Sequence, residues 1–154
     1  MAELREAETN AVTSRVSTVA PRLVLAGAAG VIVGAFGPWE VIKFTTGGSV
    51  VFAGTHGRGG FVEPGMITLA LGLVLLALGL TRLATTVTAG WATATAASLL
   101  FVAVVKVVTA SRDKFGMASS VGWGLALTVL AAGLALGGSI AALMSQLDAE
   151  PESS

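Results

Sequence analysis

The sequence predicts an all-α membrane protein, a four-transmembrane-helix bundle with a small β-hairpin cap between helices 1 and 2. Three observations carry that prediction. The first is composition: 54% of the 154 residues are hydrophobic and 12% are charged, with a mean hydropathy of +0.84, whereas roughly a quarter of the residues in soluble domains are charged. The second is a set of four charge-free runs, Leu23 to Trp39, Pro64 to Thr81, Leu83 to Val105 and Phe115 to Leu147. About 20 apolar residues in a helix cross a hydrocarbon core of ~30 Å, and backbone groups in lipid must be paired within their own segment. The third is the stretch 36–65, FGPWEVIKFTTGGSVVFAGTHGRGGFVEPG, which is glycine-rich and β-leaning between two apolar runs.

Taken in order, residues 1–21 form an N-terminal tail in which Leu4, Ala7, Ala11, Val12, Val16 and Val19 make a weak stripe of helical period. That pattern suits either a weak amphipathic helix or a loosely ordered arm. The membrane domain is 22–144, with the first helix expected at 22–39. A secretory signal would need a 22-residue leading region carrying Glu3, Glu6 and Glu8 beside Arg5, Arg15 and Arg22, so an uncleaved span is expected. The extracytoplasmic loop 40–64 holds two short β-branched and aromatic runs, 41–44 and 49–52, joined by Thr45-Thr46-Gly47-Gly48, which is hairpin chemistry. Pro64 then opens a second helix at 65–82. A short connection around 81–86 makes the second and third helices antiparallel neighbours, with the third at 87–109. Ser111-Arg112-Asp113-Lys114 marks a turn before the fourth helix at 119–144, and 145–154 reads as an acidic disordered tail.

Four spans put both termini on one side of the membrane, and Arg15 and Arg22 beside the first helix favour cytoplasmic termini in a multi-pass protein of the cell membrane. Trp39 and Trp123 are then expected at the outer interface and Trp91 at the inner one.

Six glycines are expected to serve helix packing. Gly30 with Gly34, and Gly133 with Gly137, are small-xxx-small pairs, and Gly72 and Gly79 stand seven apart on the second helix. Packing within one bundle is the first reading and contact between copies of the chain the second. Lys106 is the candidate intramembrane polar residue, since an ionisable group within an apolar helix is a default pointer to an ion or substrate path. It also lies about a turn from the helix end, where its stem can snorkel to the interface. Its expected partners are Glu40, Glu63 and Asp113. Phe44, Phe52, His56 and Arg58 in the outer loop are the candidate interaction residues.

Several function classes have little support. A net charge of zero, from nine basic and nine acidic residues, offers no field for nucleic acid. The chain has no cysteine and one histidine, which leaves too few ligands for a zinc site. The glycine run lacks the lysine and hydroxyl of a phosphate-binding loop. No catalytic, metal or cofactor-binding grouping is readable, so the protein is expected not to be an enzyme and to need no cofactor. The expected partners are the lipid bilayer, another protein through the outer loop, and further copies of the chain.

Pro38-Trp39, the stretch Ser49 to Gly60, the helix Met66 to Leu80 and the segment Val121-Gly122-Trp123-Gly124 carry a resemblance. Over residues 22–143 the chain resembles small four-span integral membrane proteins common in actinobacteria and encoded by their phages. The resemblance implies a four-helix architecture in the cell envelope, and His56 and Arg58 stand where such relatives would carry acidic residues. Three functions are then in view. The first is a non-enzymatic envelope accessory or interaction protein using the 40–64 loop. The second is a phage-type membrane protein, for superinfection exclusion or holin-like, and the third a small transporter or channel.

Overall fold

The computed structural model describes residues 2–43, 47–53, 64–110 and 118–148. Helix α1 (Ala2–Phe36) leads into strands β1 (Pro38–Lys43) and β2 (Ser49–Ala53). Helices α2 (Pro64–Leu80) and α3 (Thr86–Ala110), strand β3 (Ala118–Val121) and helix α4 (Trp123–Leu147) follow. Three segments, Thr18–Phe36, Thr86–Thr109 and Trp123–Leu147, are long and apolar enough to cross a membrane, and α2 is a shorter apolar helix. Helices of this length and composition suit a multi-pass membrane protein.

The first helix is much longer than expected. It is continuous from Ala2, because residues 2–20 are rich in strong helix formers, and Pro21 sits inside it at the loss of one backbone bond. It also stops earlier, at Phe36, since Gly37 and Pro38 break it and β1 begins at Pro38. The hairpin forms as its chemistry suggests. β1 and β2 are antiparallel with Val41 opposite Val51 and Lys43 opposite Ser49. In the connection, Gly47 and Gly48 have φ of 85° and 126°, values that side chains with a Cβ resist.

The expected start of the fourth helix at 119 is corrected to 123. Residues 118–121 form a third strand instead, which pairs antiparallel with the other edge of β1, Val121 opposite Glu40 and Ser120 opposite Val41. The sheet order is therefore β2-β1-β3. Four residues with two serines are too short to show a period, and their partner lies some 80 residues away in sequence.

Small residues set the bundle's geometry. On α1 and just past its end, Gly27, Gly30, Gly34 and Gly37 face α4 so closely that added methyl groups would collide. A Cβ on Gly27 would sit 2.6 Å from the Ala131 carbonyl oxygen, on Gly30 2.7 Å from the Ala131 Cβ, and on Gly37 2.8 Å from the Gly124 Cα. From α4, Gly124 and Gly138 answer in kind, against Gly37 and against Leu23 and Ala20 respectively. The two helices thus run antiparallel with their backbones almost touching, the close approach that small residues permit in lipid. Gly72 fits against Val31 and Ile32, and Gly79 against Leu25 and Val24, so α2 lies antiparallel along α1's apolar part. The buried core is correspondingly small-residue: Ala28, Ala89, Ala92, Ala96, Ala132 and Ala135 surround Val24, Val31, Leu75 and Leu99.

Of the six glycines singled out in the sequence, Gly30, Gly34, Gly72 and Gly79 make these contacts. Gly133 and Gly137 do not: both are exposed, with nothing within 4 Å of where a Cβ would stand. They lie two residues out of step with Ala131 and Ala135, on the opposite side of a helix of 3.6 residues per turn.

A Gly34→Val substitution is expected to destabilise the bundle by about 1–3 kcal/mol or more, as overpacking does. Gly133→Ala and Gly137→Ala should be neutral or gain up to about 1 kcal/mol each from helix propensity. Unfolding midpoints in a detergent titration would measure the contrast.

Candidate functional site

The feature that separates this bundle from a plain apolar one is the sheet at the end where α1 and α3 finish and α4 begins. Its position follows from a junction of glycines. The Gly122 N–H donates to the Trp39 carbonyl at 2.9 Å, and a Cβ on Gly122 would collide with the backbone of Pro38. Only glycine lets the end of β3 and the start of β1 meet there. Gly37 and Gly124 touch directly beside it, so β1 and β3 are held by the same contact that joins α1 to α4.

Trp39, just past the end of α1, points into the bundle. It is 6% exposed and packs with Ala103 and Leu125, with Val107, Val121 and Val129 around them. Its indole N–H donates to the Gly34 carbonyl at 2.9 Å. The same oxygen accepts from the Gly37 N–H at 3.1 Å. The last turn of a helix leaves carbonyls without helical partners, and a buried tryptophan needs an acceptor, so each group meets the other's requirement. Trp91 and Trp123 are exposed instead, at 64% and 58%.

Residues opposite one another across a sheet share a face. Glu40 and Val121 are paired, and Val121 packs against the Trp39 cluster, so this face turns to the bundle. The alternate face carries Val41, Lys43, Val51, Ser49 and Ser120. Lys43, Ser49 and Ser120 are exposed, Val51 is 57% exposed, and the Ser120 hydroxyl donates to the Val41 carbonyl. A β-branched pair flanked by a lysine and serines therefore points away from the helices. Of the expected interaction residues, Phe52 falls on β2 opposite Glu40, while Phe44, His56 and Arg58 lie outside the described residues. Neither Val41-Ile42-Lys43, apolar at two successive positions, nor Ser119-Ser120 shows an alternation that marks the outward face.

Lys106 is half-buried on α3, in step with the buried Ala92, Ala96, Leu99 and Ala103. Ala103 belongs to the Trp39 cluster, so Lys106 sits one turn further toward the sheet end, within snorkelling reach of the interface. Glu40 is at that end also; Glu63 and Asp113 are outside the described residues. The Thr93, Thr95 and Ser98 hydroxyls on α3 each donate to a carbonyl four residues back, at 2.9, 2.8 and 2.9 Å. Among the described residues no group of three His, Asp or Glu side chains could hold a metal ion.

The opposite end has a different character. Arg82 and Leu83, in the turn between α2 and α3, have φ of 57° and 51°, a left-handed pair that costs about 1–2 kcal/mol per residue. The Leu83 side chain is 1% exposed within the core, worth about 1.5–3 kcal/mol. Its carbonyl accepts a hydrogen bond from Gln146 Nε2 on α4, worth about 0.5–1.5 kcal/mol. Gln146 Oε1 is buried without a partner, at about 1–3 kcal/mol. Beyond the turn, Thr85 and Thr88 exchange side-chain and backbone bonds that start α3.

No protein-family model matches the chain, and no curated protein matches it.

With Trp91 and Trp123 replaced by phenylalanine, the fluorescence of the remaining Trp39 is expected to be blue-shifted and nearly resistant to aqueous acrylamide. Trp39→Phe should cost about 1 kcal/mol for the lost bond alone, read as a lower unfolding midpoint.

Proposed function

We propose that this chain is a non-enzymatic integral membrane protein of the cell envelope. In this reading all four helices cross the bilayer, and the sheet lies at the outer surface as a docking platform for another protein. The observation that carries the reading is the outward sheet face of Val41, Lys43, Val51 and Ser120, set on an otherwise apolar bundle by the glycine junction. Two β-branched side chains with a charged neighbour suit a protein partner better than lipid, because the lysine and serines keep the face wet in the absence of one.

Four crossings are supported by the depth that α2 covers. Its 17 residues reach about 25 Å, short of a ~30 Å core. Yet Gly72 meets α1 at Val31 and Ile32 and Gly79 meets it at Val24 and Leu25, so α2 runs beside most of α1's own apolar segment. A local thinning of the bilayer of a few ångströms accommodates the difference at modest cost. Both termini then share a side, and the arginines flanking α1 favour the cytoplasm.

The chain contains no cysteine, which makes single-cysteine labelling direct. Ser49→Cys is expected to react with a membrane-impermeant maleimide in intact cells, and Arg82→Cys and Asp148→Cys only in inverted vesicles. Labelling of Ser49→Cys and Arg82→Cys from one side would show that α2 does not cross; exchanged sides would reverse the orientation.

A photo-crosslinking residue at Val51 is expected to give discrete protein adducts, and one at the lipid-facing Leu130 none. Equal patterns, or none from Val51, would remove the docking reading. Expression should leave membrane potential steady, since the α3 hydroxyls are bonded within their own helix and no wet lumen is needed. Prompt depolarisation would put a holin-like pore in place of the docking platform.

A further inference from the structure

The turn between α2 and α3 is built from opposing contributions. Two successive residues with side chains, Arg82 and Leu83, are held in the left-handed region, and Gln146 Oε1 is buried without a partner. Against these stand the burial of Leu83 and the single bond from Gln146 Nε2 to the Leu83 carbonyl. The unfavourable contributions are at least as large as the favourable ones, so the closed turn has no margin of its own and is held against strain. At the sheet end, by contrast, the described residues other than glycine have no positive φ.

The geometry points to a latch: Leu83 is a plug held in the core by Gln146, and the end of the bundle away from the sheet opens by releasing it. In the closed state Leu83 belongs to the same buried core as residues of α1, α2, α3 and α4. Release lets Arg82 and Leu83 return to ordinary backbone conformations and lets Gln146 Oε1 reach water, so the open state recovers what the closed state gives up. The α1–α4 seam need not move, because none of its glycine contacts involves the turn. Such an element is bistable, and ligands or lipids that favour either state would bias it.

Hydrogen–deuterium exchange on the full chain in nanodiscs tests this. The Thr81 and Arg82 amides donate to Leu78 and Gly79 and report opening of the turn. Gln146→Met preserves length and removes the donor; exchange across 81–85 is expected to rise about 2- to 12-fold, the range that one hydrogen bond covers, with 27–37 unchanged. Arg82→Gly removes left-handed strain at an exposed position and should slow the same amides. Unaltered exchange at 81–85 in both variants, or a rise in Gln146→Met shared equally by the seam, would overturn the latch.

Discussion

The near-contact of two backbones, α1 against α4, is the constraint on which the remaining structure depends. Lipid supplies no hydrophobic force to press helices together, so association must come from close packing. Gly27, Gly30, Gly34 and Gly37 provide it from one side and Gly124, Ala131, Ala135 and Gly138 from the other. The seam brings the end of α1 to the start of α4, and that places β1 within reach of β3. Without it the serine strand has no partner to pair with, and Trp39 has no pocket at Ala103 and Leu125.

Polar groups are handled in a way that suits an apolar solvent. The buried hydroxyls of Thr95, Thr128 and Ser139 each donate to a carbonyl on their own helix, so none depends on a neighbour or on water. The indole of Trp39 caps α1 from within the core. Against that background Gln146 stands out, since its side chain joins α4 to a distant turn and leaves one atom unpaired. The two ends of the bundle therefore differ: a sheet is added to the glycine contacts at one end, and at the other Gly138 against Ala20 is joined by the Gln146 bond and the buried Leu83.

Much of the architecture was legible in the sequence because it depends on local quantities. Charge-free runs marked the apolar helices, Thr45-Thr46-Gly47-Gly48 marked the hairpin, and Gly30, Gly34, Gly72 and Gly79 marked real packing positions. Gly133 and Gly137 were misread because a helix can carry two stripes of small residues and only one faces its neighbour. Gly133 and Gly137 look as suitable as Gly124 and Gly138 in a list of spacings. The alternating four- and three-residue steps of Gly124, Thr128, Ala131, Ala135 and Gly138 were a readable signal for the correct face. The burial of Trp39 was not legible, because a tryptophan beside a span end reads as exposed at the interface unless an acceptor such as the Gly34 carbonyl is known to lie within reach.

The sequence by itself determined the apolar helices, the hairpin and the residue types available for chemistry, since composition and short-range spacing govern these. The tertiary contacts were needed to show that Ser119 and Ser120 belong to a strand, which face of the sheet points outward, and that Leu83 is buried. Each of those depends on a partner far away in the chain, such as Glu40 for Val121 or Leu83 for Gln146. Long-range pairing leaves no local period to read.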